Sequence, residues 1–237
     1  MPRKPRQFEI GGVYHIVQRG VERRRLFMKN QDYSRFTIGL ELFNSEAPAR
    51  LWELLAKAGS DPALRDRLRE QRTQKLPRLV DILAFALMPN HFHLILREIV
   101  QGGISAFMQK MGGYATYFNK QYDRTGSLFQ GRYKSIEVSS NEQLLKVFVY
   151  VHTNPVELWE PEWKEFRVHD AKGALRRLQA YHWSSYRDYL GMPTFPHVIQ
   201  PEFFLETLGG VEGCRKAVED WVTFKAEQAD FGPEIIE

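Results

Sequence analysis

The chain has 237 residues, 43% of them hydrophobic, with a net charge of +4, which allows one large domain or two small ones with a real core. No apolar run of about 18 residues occurs, so no membrane span is expected, and Met1-Pro2-Arg3-Lys4-Pro5-Arg6 is not followed by the apolar stretch of a secretory signal. The single cysteine, Cys214, excludes an intrachain disulfide framework and fits a reducing, cytoplasmic setting.

Taken in chain order, Val13-Tyr14-His15-Ile16-Val17-Gln18-Arg19 reads as a first strand, entered from Gly11-Gly12 and ended by Gly20, with Arg23-Arg24-Arg25 on the loop after it. Asp32 is a helix start, and Tyr33, Phe36, Ile38, Leu40 and Phe43 fill an amphipathic helix to about Asn44. Residues 45–77 are strongly charged and helical in pattern, and read as an insertion. Residues 79–87 and 91–98 form two antiparallel strands joined by Met88-Pro89-Asn90. A helix is expected over Ile104–Lys120, weakened by Gly112-Gly113 at roughly 1 kcal/mol per glycine, a cost that close approach to another backbone would explain. The last strand falls within Phe129–Val138. Ser140-x-x-Gln143, or Ser139-x-x-Glu142 one residue earlier, is a capping box that opens a helix ending before Pro155, which disfavours helical geometry at Asn154. The order β-α-(insertion)-β-β-α-β-α is that of a ferredoxin-like α+β sandwich, an antiparallel sheet with helices on one face, followed by a C-terminal helical extension.

The run Met88-Pro89-Asn90-His91-Phe92-His93-Leu94-Ile95-Leu96 carries the chemistry. Alternate residues of a strand share a face, so His91 and His93 point one way while Phe92, Leu94 and Leu96 point into a core. Two imidazoles side by side make half of a divalent-metal site. The spacing alone also fits ordinary surface or core histidines. On the last helix Tyr150 precedes Asn154 by four residues, on one face, and Lys146 lies one turn earlier. A phenol titrates near pH ~10 and needs a base or cation to become a nucleophile. A metal beside the attacked phosphate would polarise its P–O bonds, with the Asn154 side-chain oxygen as a third ligand. Taken by itself, Tyr150 fits a core aromatic equally well.

Charge is unevenly spread. Residues 1–35 hold nine Lys/Arg against three acids, residues 103–135 hold five against Asp123, and residues 201–237 hold three against nine acids. The basic segments are interleaved with Tyr114, Tyr117, Phe118, Tyr122, Phe129 and Tyr133, a mixture suited to a polyanion with stackable bases. Arg23, Arg24, Arg25, Arg124, Arg132 and Lys134 are candidate phosphate contacts, and Tyr114 or Tyr117 a candidate base platform, core packing being the alternative for both tyrosines.

The combination of Met88-Pro89-Asn90-His91-Phe92-His93-Leu94, Gly126-Ser127-Leu128-Phe129-Gln130-Gly131-Arg132-Tyr133-Lys134 and Tyr150-Val151-His152-Thr153-Asn154-Pro155-Val156 resembles the single-tyrosine HUH transposases, above all the REP-associated tyrosine transposases related to insertion-sequence enzymes. Tyr14-His15-Ile16-Val17-Gln18-Arg19-Gly20 and His182-Trp183-Ser184-Ser185-Tyr186 extend the match to about residues 8–190. The resemblance implies a nuclease domain over 1–195, whereas the acidic extension over 196–237 and the charged insertion over 45–77 depart from the family pattern. It also implies a Mg2+ or Mn2+ ion on His91 and His93, and Tyr150 as the nucleophile that leaves a 5′-phosphotyrosine link and a free 3′-OH. Insertion-sequence members place glutamine where Asn154 stands, and asparagine is one methylene shorter. Arg19 and Gln130, inside the matched motifs, join the DNA-binding candidates.

The function expected is therefore metal-dependent nicking and strand transfer of single-stranded DNA at hairpin repeats, by a monomer or homodimer in the cytoplasm at the nucleoid. The alternative is a hairpin-binding protein without turnover. An RNA-binding ferredoxin-like domain lacks support, because the basic-aromatic segments do not form the strand signatures of that class.

Overall fold

In the computed structural model the described residues are 6–46 and 77–227. The bulk of the expected insertion, residues 47–76, lies outside them. The elements in chain order are β1 (Val13–Arg19), α1 (Asn30–Leu42), β2 (Val80–Met88), β3 (His91–Glu98), α2 (Gly103–Met111), α3 (Tyr114–Gln121), β4 (Lys134–Val138), α4 (Asn141–Thr153), α5 (Ala171–Ala180), α6 (Tyr186–Tyr189), α7 (Glu202–Leu208) and α8 (Gly210–Glu227). The strands form one four-stranded antiparallel sheet in the order β2-β3-β1-β4, the α+β arrangement expected. All nine residues of β2 are buried, which suits its unbroken apolar sequence.

The chain divides into two compact units. The first comprises Met1–Asp81, Pro89–His91 and Leu96–Glu137, and the second Ile82–Met88, Phe92–Ile95 and Val138–Glu237.

In the first unit, an aromatic core joins Phe27, Tyr33, Phe36 and Tyr114. Phe27 stacks on Tyr33 at 4.5 Å, and Phe36 meets Tyr114 edge-on at 5.2 Å. Asp32 is at the first turn of α1 but is not its cap. Its buried carboxylate accepts N–H bonds from Met28 (2.8 Å) and Lys29 (3.1 Å) and hydroxyl bonds from Tyr117 (3.0 Å) and Tyr122 (2.6 Å). Asn44 ties the chain after α1 to β2, accepting from Leu79 and Val80 N–H and donating to Val80 O at 2.7 Å. Buried Glu98 accepts the N–H groups of Gly102, Gly103 and Ile104, so a strand carboxylate satisfies the positive end of α2. The helix expected over 104–120 is split at Gly112-Gly113 into α2 and α3. Gly112 does not serve a close approach to another element: a Cβ there would meet Gln109 O of its own preceding turn at 3.0 Å. The close approach is at Gly103, where a Cβ would fall 2.1 Å from Leu79 O.

In the second unit, Ser140 caps α4 by accepting Gln143 N–H at 3.2 Å, and Gln143 Oε1 accepts the Ser139 N–H at 2.8 Å, so the reciprocal bond reaches one residue further back than the box predicts. The helix ends at Thr153 as expected, yet Asn154 keeps helical angles (φ −53°, ψ −37°) because Pro155 opens a 3-10 turn over Asn154–Leu158 rather than an extended segment. The segment His182–Ser185 lies along β2. Leu87 N–H donates to Trp183 O, Ser185 N–H donates to Phe85 O, and Ala86 bridges Ser184. The acidic extension is amphipathic where described. Phe204, Cys214, Val218 and Val222 are fully buried, and Phe204 packs 4.8 Å from Phe148 of α4.

Candidate nuclease site

Tyr150 lies one turn before the end of α4 and is 45% exposed, an unusual value for a large aromatic flanked by the buried residues Val149 and Val151. Its ring stands edge-on to the imidazole of His93, centroids 5.3 Å apart and planes at 86°. His93 itself is 2% exposed. Asn154 is buried and donates its backbone N–H to Tyr150 O, continuing the helix ladder by one residue.

The opposite side of α4 explains why Tyr150 is held there. His152 is fully buried, with its Nε2 2.9 Å from Ser185 Oγ. Ser185 Oγ also accepts Phe85 N–H at 2.9 Å, so one hydroxyl ties the tyrosine helix to β2. Tyr181 OH donates to Leu87 O at 2.7 Å, and Tyr189 OH donates to Leu83 O, adding two further anchors along the same strand. Burial lowers the His152 pKa to about 3, so this imidazole is neutral at any working pH and acts through packing and hydrogen bonding. The role of His182-Trp183-Ser184-Ser185-Tyr186 as edge pairing and helix anchor is not readable from its spacing; the one signal is its chemistry, a hydroxyl pair set among aromatics.

His91 begins β3 directly after the Pro89-Asn90 turn and is buried. Its Nδ1 lies 2.6 Å from Asn90 Oδ1. His91 and His93 are alternate residues of one strand, as the H-x-H spacing requires. Among the described residues no three His, Cys, Asp or Glu side chains are grouped to hold a metal. A metal held by His91 and His93 would need oxygen donors to complete its shell. Such a mixed N/O set fits Mn2+, and fits Mg2+ when water and phosphate complete it.

The basic candidates fall in the first unit. Arg19 ends β1, and its carbonyl accepts Gln130 N–H at 2.9 Å. Val21 N–H donates to Leu128 O, and Gly20 bridges Phe129. The loop bearing Arg23, Arg24 and Arg25 is thus hydrogen-bonded to the loop bearing Gln130 and Arg132, segments more than 100 residues apart. Arg23, Arg25, Gln130, Arg132 and Lys134 are exposed, while Arg24 is half-buried. Glu22 and Arg23 both adopt left-handed angles (φ 54° and 57°), a strained turn that points to function when it occurs without glycine. The same loop returns to the hairpin: Gly20 N–H donates to Asn90 O, and Leu26 and Phe27 N–H donate to Pro89 O. Arg124 is half-buried, with Nη1 on Asn119 Oδ1 at 2.8 Å.

The two tyrosines proposed as base platforms separate. Tyr114 is fully buried, its OH donating to Leu26 O at 2.6 Å, so it is a core residue and offers no face to a base. Burial and the nearby Asp32 push its pKa up. Tyr117 is half-buried, its OH donates to Asp32 Oδ1, and Arg35 lies over its ring at 4.9 Å. Burial and Asp32 raise its pKa to about 12.

Residues 61–154 match the model of a family described as Transposase IS200 like. No curated protein matches the chain. Among solved structures, one described as a REP-associated tyrosine transposase bound to a REP hairpin is similar at a TM-score of 0.48 and 14% identity, covering 84% of this chain and 92% of that one. No helix among the described residues is long and apolar enough to cross a membrane. Over residues 61–154, then, the chain matches the IS200-like transposases, the family that its motifs resemble.

Proposed function

We propose that this protein is a metal-dependent transposase that nicks and rejoins single-stranded DNA at hairpin repeats through a 5′-phosphotyrosine link on Tyr150. The observation that carries the reading is the edge-on pairing of an exposed Tyr150 with a strand histidine of the H-x-H motif. His91 and His93 would hold Mg2+ or Mn2+, with the Asn154 side-chain oxygen as a further donor. When bound, such an ion would supply charge neutralisation and would polarise the P–O bonds of a phosphate.

The chain's own groups do the rest. The phenolic oxygen of Tyr150 attacks phosphorus and gives up its proton to solvent. The P–O3′ bond breaks, and the departing 3′-oxygen takes a proton. Attack by a 3′-OH on the phosphotyrosine reverses the step and transfers the strand. The arginines of the β1 loop and the Gln130–Lys134 segment bind phosphates of the hairpin.

The test is a cleavage assay with a single-stranded hairpin oligonucleotide labelled at either end. The reading expects nicking only when Mn2+ or Mg2+ is present, with protein attached to the 5′ end of one product. Tight hairpin binding with no nick under any metal condition would replace it with the hairpin-binding alternative.

A further inference from the structure

We infer that Asn90 is a positioning residue that fixes the tautomer and ring orientation of His91 for metal binding. The inference rests on the metal reading above and deepens it. Asn90 Oδ1 lies 2.6 Å from His91 Nδ1, a short separation for a side-chain pair. An amide oxygen only accepts, so Nδ1 carries the proton and the basic lone pair sits on Nε2. Metal-bound imidazoles are held in this way, with the second nitrogen donating to an oxygen that sets the ring.

The acceptor is itself fixed. Asn90 is half-buried in a two-residue turn, its carbonyl accepts Gly20 N–H at 2.8 Å, and the carbonyl of Pro89 accepts Leu26 and Phe27 N–H at 2.7 and 3.1 Å. The turn is thus locked from outside by the loop that presents Arg23, Arg24 and Arg25. One asparagine therefore links the ring of a metal ligand, through its side chain, to the basic loop, through its backbone. An engaged loop and an oriented histidine belong to one hydrogen-bonded assembly. The sequence Pro-Asn-His makes this possible: the side chain of the residue just before the strand reaches the first strand residue without crossing the hairpin.

The experiment uses the full-length, metal-free protein labelled with 15N-histidine. Long-range 1H–15N spectra at pH 8 report which ring nitrogen is protonated, and His91→Gln identifies the His91 signals by their loss. The wild type is expected to show Nδ1–H at His91. Asn90→Ala should move the population toward Nε2–H and weaken Mn2+ binding, read by calorimetry, about 10- to 100-fold. Asn90→Asp keeps the acceptor oxygen and should retain the Nδ1–H tautomer and Mn2+ affinity within a few-fold. An Nε2–H tautomer in the wild type, or unchanged tautomer and Mn2+ affinity in Asn90→Ala, would overturn the inference. A wild type with Nδ1–H at His91 that binds no Mn2+ contradicts the metal reading instead, so the two failures are distinct.

Discussion

The ring of Tyr150 meets the imidazole of His93 edge-on, with centroids 5.3 Å apart and planes at 86°. A tyrosine kept for packing would be turned inward, as its neighbours Val149 and Val151 are. Here 45% of its surface stays open beside a 2%-exposed histidine.

His91→Ala and His93→Ala should each abolish Mn2+-dependent nicking, a loss of at least about 10³-fold, while circular dichroism and hairpin affinity stay close to wild type. Calorimetry should show Mn2+ binding lost in the double variant. Unchanged Mn2+ binding there would remove the two histidines from the site.

The triple change of Arg23, Arg24 and Arg25 to Ala should weaken hairpin binding at low salt. Neutralising a phosphate releases its counterions, so the slope of log affinity against log salt should flatten by about 0.7 to 0.9 for each phosphate that the variant no longer neutralises. Tyr114→Phe, by contrast, should leave DNA affinity unchanged and lower stability by roughly 1 kcal/mol, since it removes the hydroxyl that bonds Leu26 O in the core. Fluorescence anisotropy across a salt series reads the first effect, and urea unfolding the second.

Ser185→Ala should destabilise the fold by roughly 1–3 kcal/mol, because Phe85 N–H and His152 Nε2 are deprived of a buried partner together. Thermal unfolding measures it. A change within experimental error would mean that the hydroxyl is not what fastens the tyrosine helix to β2.

Stability should also fall as pH drops from 7 to 5. Burial lowers the pKa of His152 to about 3 and of His15 to about 4, against roughly 6.5 for an unfolded histidine. Between those values the unfolded chain binds more protons than the native one. The stabilisation is complete above the unfolded pKa and is lost as pH falls through it, at up to about 1.4 kcal/mol per pH unit for each histidine. Denaturant midpoints at pH 7, 6 and 5 test the slope, and His152→Gln should flatten it.

Much of this was legible in the residues, for reasons that differ from place to place. The β2–β3 hairpin and α4 announce themselves by apolar runs, a two-residue Pro-Asn turn and a serine cap, all of them local signals. The H-x-H pair follows from strand alternation. The exposure of Tyr150 and its distance to His93 are tertiary facts that no spacing carries. Tyr114 shows the converse. Its basic, aromatic neighbourhood suits a nucleic-acid surface, but the same composition builds a core when Phe27 and Phe36 converge on it. Gly112-Gly113 interrupts the helix ladder between α2 and α3 while both glycines keep helical angles, as two adjacent residues of low helix propensity allow. The anchoring by Ser185 depends on residues 100 positions apart, and only the folded chain brings them together.

Covalent catalysis by Tyr150 is read directly from the protein–DNA adduct. The protein is incubated with Mn2+ and a single-stranded hairpin substrate, the adduct is trapped and digested, and the DNA-linked peptide is sequenced by mass spectrometry. A phosphate-linked peptide modified at Tyr150 is expected, and it should be absent in Tyr150→Phe with hairpin binding retained. A DNA-linked peptide carrying Tyr117, Tyr133 or any residue other than Tyr150 would contradict it.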